Sequence, residues 1–493
     1  MDFSNTFTIC FLVAVSCLFP NSVFSQQVGD RVVVTANFKT KLESREVGEV
    51  LEGDIRTVRA VNGKWCYLNN VEGWLPIRNV MNLQMAMKHF SKRIKDNERD
   101  AVAFGIRGTI YYELEQFPAA EKDLQASLAL NNKNYNVWLL RGMVRKAKAD
   151  RLRGIGKTEV AKIEYTNAAN DFKVSINLNE ENANAHFNIG LVFYALEDFE
   201  QAVKAYDRAI ELDDSKALWF VSRGSAHLGL DQRKKAKEDY IEAIRLDKRL
   251  ADAYIGLSNI YLIEEDLEKA FKYADAAVEE QSNNAMALNS RGWILFKQEK
   301  YEEAIFDLSR AIRFAPKLSI AYGNRGVCYV AINDFENAIV DHTAHLKLTP
   351  NNPFALSNRA VAWFGKGEYK KAVADYQAAE ELAPNLDEAL NGYAWFLATC
   401  PEEKYRDGEL ALEKAKAACK ISEYKDWYQL DTLATAYAEN DDFEQALKWA
   451  KKALEVAPKR KQDLCEEQIA RFKKGEKLRS KVGKNAEQVI GNS

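Results

Sequence analysis

Three short constellations in this sequence could do chemistry. The first, Arg153-Gly-Ile-Gly-Lys-Thr158, ends like a phosphate-cradling loop. That chemistry needs a glycine five residues before Gly156, where the backbone must wrap the phosphates, and Arg151 stands there. No strand-like run precedes it, so the segment reads as an insertion and no nucleotide is expected. The second is His342 and His345, three apart on one helix face, a spacing that suits a shared metal. No nearby Cys or Glu completes a ligand set, and a local packing adjustment is the reading taken. The third is the five cysteines beyond residue 25: Cys66, Cys328, Cys400, Cys419 and Cys465. An odd number with no CxxC spacing makes neither a disulfide framework nor a zinc ribbon. Five small buried residues are expected, with Cys400 and Cys419 the one pair able to bridge neighbouring helices. No Ser/His/Asp, Cys/His or paired-carboxylate arrangement stands out. The expectation is a protein that is not an enzyme, with no catalytic residue, no cofactor and no metal.

The elements that would position a site say more. The chain has 493 residues, 47% hydrophobic and 29% charged, with a formal net charge of −3. That is about three times the ~150-residue domain norm, so a single compact core is not expected. The hydrophobic fraction excludes wholesale disorder, and the near-neutral charge argues against a general nucleic-acid binder. Thr6 to Phe19 is a nearly unbroken apolar run, closed by Pro20-Asn21-Ser22, with Val23 and Ser25 at the small-residue positions of a cleavage site. At about 14 residues it is too short to span the ~30 Å of a bilayer core. Residues 1–25 therefore read as a signal peptide, although the n-region carries Asp2 and no Lys or Arg. Ala14-Val15-Ser16-Cys17 is a loose lipobox-like alternative. A secreted or periplasmic product with no membrane span after cleavage is expected.

Residues 26–82 differ in texture from everything after them. Arg31-Val-Val-Val-Thr35, Asp54 to Ala60, Lys64 to Leu68 and Gly73-Trp-Leu75 are short β-branched or aromatic runs of strand length. Asn62-Gly63 and Glu72-Gly73 mark turns between them. About five strands closing a small barrel are expected. Gly63-Lys64-Trp65-Cys66-Tyr67-Leu68 and Glu72-Gly73-Trp74-Leu75 make this segment similar to the bacterial SH3-like (SH3b) domain. Some relatives bind cell-wall peptide, but the Gly-Pro loop of many wall-binding members is missing between Thr35 and Gly48, so no ligand residue is carried over. Trp65 and Trp74 are expected in the barrel core or rim.

From residue 101 to 460 the chain repeats with a period of 34. Gly108, Gly142, Gly190, Gly224, Ser258, Gly292, Gly326, Ala360, Ala394 and Ala434 mark the middle of each first helix. Alanines such as Ala202, Ala236, Ala270, Ala304 and Ala338 follow twelve residues later, and a third small position follows seven beyond that. Antiparallel helices can approach closely only where a side chain is small. Pro316, Pro350, Pro384 and Pro458 close second helices. Repeats 135–182 and 387–426 carry insertions near Lys148 to Tyr165 and Thr399 to Asp407.

This pattern resembles the tetratricopeptide repeat (TPR). The resemblance implies a mainly α protein, a right-handed α-solenoid of about ten helix pairs, preceded here by the SH3-like β-barrel. Residues 83–100 read as a lone opening helix, a half repeat, and 461–493 as a capping helix and tail. The family's usual protein- or peptide-binding surface is the concave face lined by first helices. Positions 2, 5, 9 and 12 of each repeat place Phe187, Tyr194, Asn259, Asn289, Trp293, Phe296, Phe354, Phe364 and Trp395 there as partner-binding candidates, some of them expected in the inter-repeat core. Asn324-Arg325 and Asn358-Arg359 echo part of the family's carboxylate clamp, but the preceding repeat holds Asn289 and Trp293 where the clamp needs Lys and Asn. Residues 459–484 carry ten Lys or Arg against four acids. The expected function is an exported, non-enzymatic scaffold binding a protein or peptide partner on the concave face. The alternative is a cell-envelope-polymer binder that makes its wall contact through the SH3-like module and the basic end.

Overall fold

The computed structural model describes Gly29, residues 31–35, 38–42, 45–50, 52–62, 65–69, 74–76 and 80–480. The signal-peptide reading of 1–25, the turn residues Gly63, Glu72 and Gly73, the side chains of Trp65 and Trp74, and the last basic residues, Lys481 and Lys484, lie outside them. The chain divides into two compact units, one up to Asp213 and one from Asp214 on.

The first unit opens with seven strands: β1 (Arg31–Val34), β2 (Phe38–Leu42), β3 (Arg45–Val50), β4 (Ile55–Asn62), β5 (Trp65–Leu68), β6 (Trp74–Pro76) and β7 (Val80–Asn82). They form one sheet in the order β3-β2-β6-β5-β4-β1-β7. Seven strands replace the five expected, because β2 and β3 form an antiparallel pair of their own in the stretch where no strand was read. The pair Asn62↔Trp65 closes β4 on β5. β1 explains the sheet's position. Its run of three valines is buried on both faces: Val32 and Val34 join Val50, Val58, Cys66, Leu68 and Val80, whereas Val33 points the other way. A continuous apolar strand, rather than an alternating one, is the mark of two covered faces.

What covers the second face is helical. α1 (Leu83–Asp96) follows β7 directly, with Asn82 accepting a hydrogen bond from the Met85 N–H at 2.9 Å as N-cap. Phe90 and Ile94 of α1 and Ile106 and Ile110 of α2 (Ala101–Glu113) pack around Val33. Arg93 reaches Glu52 at 2.6 Å and Asp100 at 2.8 Å, and Arg31 reaches Glu113 at 2.7 Å. The sheet is thus docked on the first helices rather than tethered by a linker. The unit continues with α3 (Phe117–Leu130), the pair α4 (Tyr135–Gly154) and α5 (Thr158–Leu178), and the pair α6 (Ala183–Ala195) and α7 (Phe199–Leu212). The first insertion lengthens both α4 and α5, to 20 and 21 residues, where the other pairs have 13 or 14. Ile155 to Lys157 form the turn between them, so the segment Arg153 to Thr158 joins two helices and follows no strand.

The second unit holds seven further pairs. They are α8 (Ala217–Gly229) with α9 (Arg233–Leu246), α10 (Ala251–Ile263) with α11 (Leu267–Glu280), α12 (Ala285–Lys297) with α13 (Tyr301–Phe314), and α14 (Ser319–Ala331) with α15 (Phe335–Leu348). Then come α16 (Pro353–Lys366) with α17 (Tyr369–Leu382), α18 (Asp387–Thr399) with α19 (Gly408–Ile421), and α20 (Trp427–Glu439) with α21 (Phe443–Val456). A last helix, α22 (Gln462–Lys473), packs on α20 and α21 through Ile469 and Phe472. Counting α2/α3 as the first, ten helix pairs make a mainly α solenoid, in agreement with the 34-residue period.

The period has a direct physical cause. A Cβ placed on Gly190 would lie 2.6 Å from the Tyr206 ring, so the missing side chain of α6 is the space that the aromatic of α7 fills. The turns repeat as well. Two residues beyond their first helices, Glu115, Glu197, Asp231, Glu265, Glu299, Asn333 and Asp441 have positive φ, between 53° and 63°. The α4–α5 and α16–α17 turns use a glycine instead, Gly156 (φ 78°) and Gly367 (φ 85°). The second insertion is a 3-10 turn, Glu403–Tyr405, between α18 and α19. All five described cysteines are free and buried. Cys400 and Cys419 do not pair, and burial pushes their thiols up to about 11 and about 12.

Candidate partner-binding site

The nine residues expected on the concave face fall into two groups. Tyr194 (39% exposed), Asn259 and Phe354 are at the surface, and Trp293 is half-buried. Phe187, Asn289, Phe296, Phe364 and Trp395 are buried. Phe187 leans on the Tyr206 ring, with centroids 5.6 Å apart. Phe364 meets Phe396 edge-on at 4.9 Å, and Trp395, with no exposed surface, belongs to the same core as Leu430, Leu433 and Cys465. Asn289 accepts from the Asn324 amide at 3.0 Å, joining α12 to α14. These five are structural positions rather than contact positions as the protein stands.

Trp293 is the candidate that opens onto space. Its ring stacks on Phe296 (5.0 Å, 18°) and carries the Lys297 ammonium 4.8 Å above its face. It lines a cavity of 830 Å³ within the second unit, between the ends of α10 and α12 on one side and those of α19 to α21 on the other. Trp427, the first residue of α20, faces it, with Leu262, Ile263, Val456 and Pro458 as apolar walls. Lys297, Lys425 and Arg460 supply positive charge and Glu265 and Asp426 negative charge. Burial, with the Arg460 charge added, lowers the Lys297 pKa. Burial raises the Asp426 pKa even though its carboxylate caps α20, accepting from the Tyr428 N–H at 2.8 Å.

The cavity mouth is fastened by charge. Glu299, in the α12–α13 turn, meets Arg460 at 3.2 Å and Lys461 at 3.8 Å. Lys477 and Arg479 pair with Asp441 and Glu439. Four of the basic residues near the carboxyl end are therefore engaged within the unit. His342 and His345 pack where a Cβ on Gly326 or Gly323 would lie 2.7 or 2.6 Å from their rings, and burial lowers both pKa values. Among the described residues no group of three or more His, Cys, Asp or Glu is arranged to hold a metal. No described helix is long and apolar enough to cross a membrane.

Family models described as "Tetratricopeptide repeat" match residues 183–216, 221–285, 285–318, 353–386 and 430–460. The chain contains tetratricopeptide repeats. A comparison with curated proteins finds no match. Among solved structures, the chain is similar to the tetratricopeptide repeat protein YrrB at 25% identity, over 38% of this chain and 95% of that one, with a TM-score of 0.29. It is similar to yeast Tom70 at 17% identity (80% and 92% covered, TM-score 0.38). It is also similar to a tetratricopeptide repeat protein of Parabacteroides merdae at 16% identity (56% and 99% covered, TM-score 0.42).

Two features of these repeats escaped the sequence reading. Trp427 sits at position 1 of its repeat, outside the positions scanned. The other is a ladder of ion pairs. Arg107, Arg223, Arg291, Arg325 and Arg359 precede the small residue of their first helix, and each grips an Asp sixteen residues on, in the second helix. Arg141 does the same across the insertion, to Asp171. Every repeat with this Arg has the Asp, a signal readable from the sequence by comparing two columns. Arg325 and Arg359, half of the clamp echo, are thus committed to Asp341 and Asp375.

Proposed function

We propose that this protein is an exported, non-enzymatic scaffold whose second unit captures a protein partner at the cavity between Trp293 and Trp427. The observation that carries this is the 830 Å³ space lined by Trp293 and Trp427 together with Leu262, Ile263, Val456 and Pro458. Flat aromatic walls suit one large apolar side chain of a partner segment, and such anchors dominate interface energies. Lys297 lines this space, where burial and the nearby Arg460 charge lower its pKa. The lining carries both signs of charge, so a segment with one large apolar anchor flanked by polar residues is the chemistry favoured. The apolar run Thr6 to Phe19 supports export, and the runs around Trp65 and Trp74 support reading the amino-terminal sheet as an SH3-like module docked on the array.

The test is a cross-linked pull-down from envelope extract with the protein from residue 26 on, beside Trp293→Ala and Trp427→Ala. A discrete protein held by the unaltered chain and lost with both variants, at matched melting temperatures, supports the reading. Capture indifferent to both variants overturns it. Phe296 is left intact because it is core beneath Trp293.

A further inference from the structure

The second candidate surface is already occupied. Past α22, Gly475 turns the chain back with φ 69°, and residues 476–480 run in non-helical form over α20 and then α18. Lys477 donates to the Glu439 carbonyl at 2.8 Å and pairs with Asp441 at 2.8 Å. Arg479 donates to the Glu439 carboxylate at 2.7 and 3.2 Å and to the Ala398 carbonyl at 3.4 Å. The Ser480 N–H donates to the Thr399 carbonyl at 2.9 Å, and the Ser480 hydroxyl to Thr399 Oγ1 at 2.8 Å. Leu478 and Ser480 are 8% and 6% exposed. Alternate residues thus face the acidic groups and the core, as in an extended peptide on a receptor.

The chemistry of this edge is specific. α18 ends at Thr399 and α20 at Glu439, so two helix carboxyl ends lie side by side. Their last carbonyls have no partner within the helix, and their dipoles favour cations. Glu439 adds an acidic side chain, 10% exposed and paired with Arg479 at 2.7 Å. The insertion Thr399 to Asp407 completes the wall. Arg406 donates to Glu439 at 3.1 Å and to the Cys400 carbonyl at 3.0 Å, holding the carboxylate in place.

We propose that the ends of α18 and α20 form a peptide-binding edge that reads an extended basic segment, and that the chain's own residues 476–480 are its resident occupant. A partner carrying the same pattern, basic-apolar-basic-hydroxyl, competes for the edge and frees the strap when it binds. A tethered occupant acts at an effective concentration on the order of millimolar, so the closed edge is strongly shielded from partners in trans. This inference is independent of the Trp293 cavity.

The test uses the full chain. A fluorescein-labelled peptide with the sequence of residues 474–480 is titrated, by anisotropy, against the unaltered protein and against Lys477→Ala/Arg479→Ala/Ser480→Ala. The released variant is expected to bind at least tenfold more tightly than the unaltered chain, and to ignore a peptide with alanine at both basic positions. Equal binding by the two proteins, or equal uptake of the two peptides, overturns the proposal. Should the variant lose its helices, the unaltered chain decides. Its Ser480 amide must exchange at least tenfold more slowly than in the free peptide, and exchange at the free rate overturns the seated strap.

Discussion

Arg291 spans three helices through one side chain. It donates to both oxygens of Asp307 in its own repeat, at 2.6 and 2.8 Å, and to Asp275 of the preceding repeat at 2.5 Å. Arg325 repeats the geometry with Asp341 and Ser309, and Arg359 with Asp375 and Thr343. The planar guanidinium is the group suited to a bidentate grip with a donor left over.

Removing such an arginine takes the bidentate partner from a buried acid, leaving Asp307 only Arg310 at 3.6 Å. Asp307 keeps only 2% of its side chain exposed. Arg291→Ala should therefore cost about 3 kcal/mol, measured as a shift in urea midpoint. Arg291→Met combined with Asp307→Leu should recover most of that loss. A midpoint within 0.5 kcal/mol of the unaltered chain for the single variant would show the rung to be ornamental.

Two glycines should respond oppositely to alanine. At Gly190 the new methyl meets the Tyr206 ring at 2.6 Å. Overpacking of roughly 1–3 kcal/mol should outweigh the helix-propensity gain of about 1 kcal/mol. At Gly154 no atom lies within 4 Å, so Gly154→Ala should stabilise by a few tenths to about 1 kcal/mol. Thermal melts of the two variants decide the matter, and equal signs would contradict the crossing geometry.

The pH profile should be a dome with two identifiable flanks. Burial pushes Asp431 up to about 7. The folded state then holds a proton that the unfolded chain releases near pH 4, so this stability is complete below about pH 4 and lost as pH rises through 7. Glu388, beside Asp387, is raised as well and adds to the same flank. Burial, helped by His345 and Arg359, lowers His342 to about 3. Its contribution is present above the ordinary value near 6.5 and is lost as pH falls toward 3. Asp431→Asn should raise the urea midpoint at pH 8 and leave it unchanged at pH 4, and His342→Leu should flatten the acid flank alone. Unaltered slopes in either variant would refute the assignment.

The contact at the cavity mouth should be cheap to break. Arg460 and Glu299 keep 56% and 46% of their side chains exposed, and pairs of that kind contribute about 0–1 kcal/mol. Glu299→Gln should leave the global melt within about 1 kcal/mol while amide exchange at residues 456–461 speeds up, more so at low salt than at high salt. A large loss of global stability would mean that the fastening is structural.

The solenoid was legible because its signal is local and recurs. A small residue such as Gly190 is needed wherever two helices touch, and the contact comes back every 34 residues. The site was legible only in part. Position within the first helix identified Trp293, but position does not say what the next repeat lays over it. Trp395 occupies the equivalent place and is sealed by Leu430, Leu433 and Cys465, from α20 and α22. Trp427 enters from the helix start, and its role depends on segments about 130 residues apart meeting around Trp293, a relation no repeat period encodes. The strap was hidden for the same reason. In the sequence its basic residues are only part of a run of ten Lys or Arg, whereas their partners are helix-end carbonyls and acids 36 to 81 positions away.

The left-handed turns carry a consequence for engineering. Seven non-glycine residues hold positive φ at equivalent turns, a conformation that costs a residue with a Cβ about 1 kcal/mol or more. The α16–α17 turn shows that glycine fits the same role. Glycine at Glu115, Glu197, Asp231, Glu265 and Asn333 would relax local strain at sites far from the helix crossings, at some cost in unfolded-chain entropy. Glu299 and Asp441 would stay as they are, because they hold Arg460 and Lys477. The array thus contains a spread-out reserve of heat tolerance that can be drawn on one turn at a time without altering a single core contact.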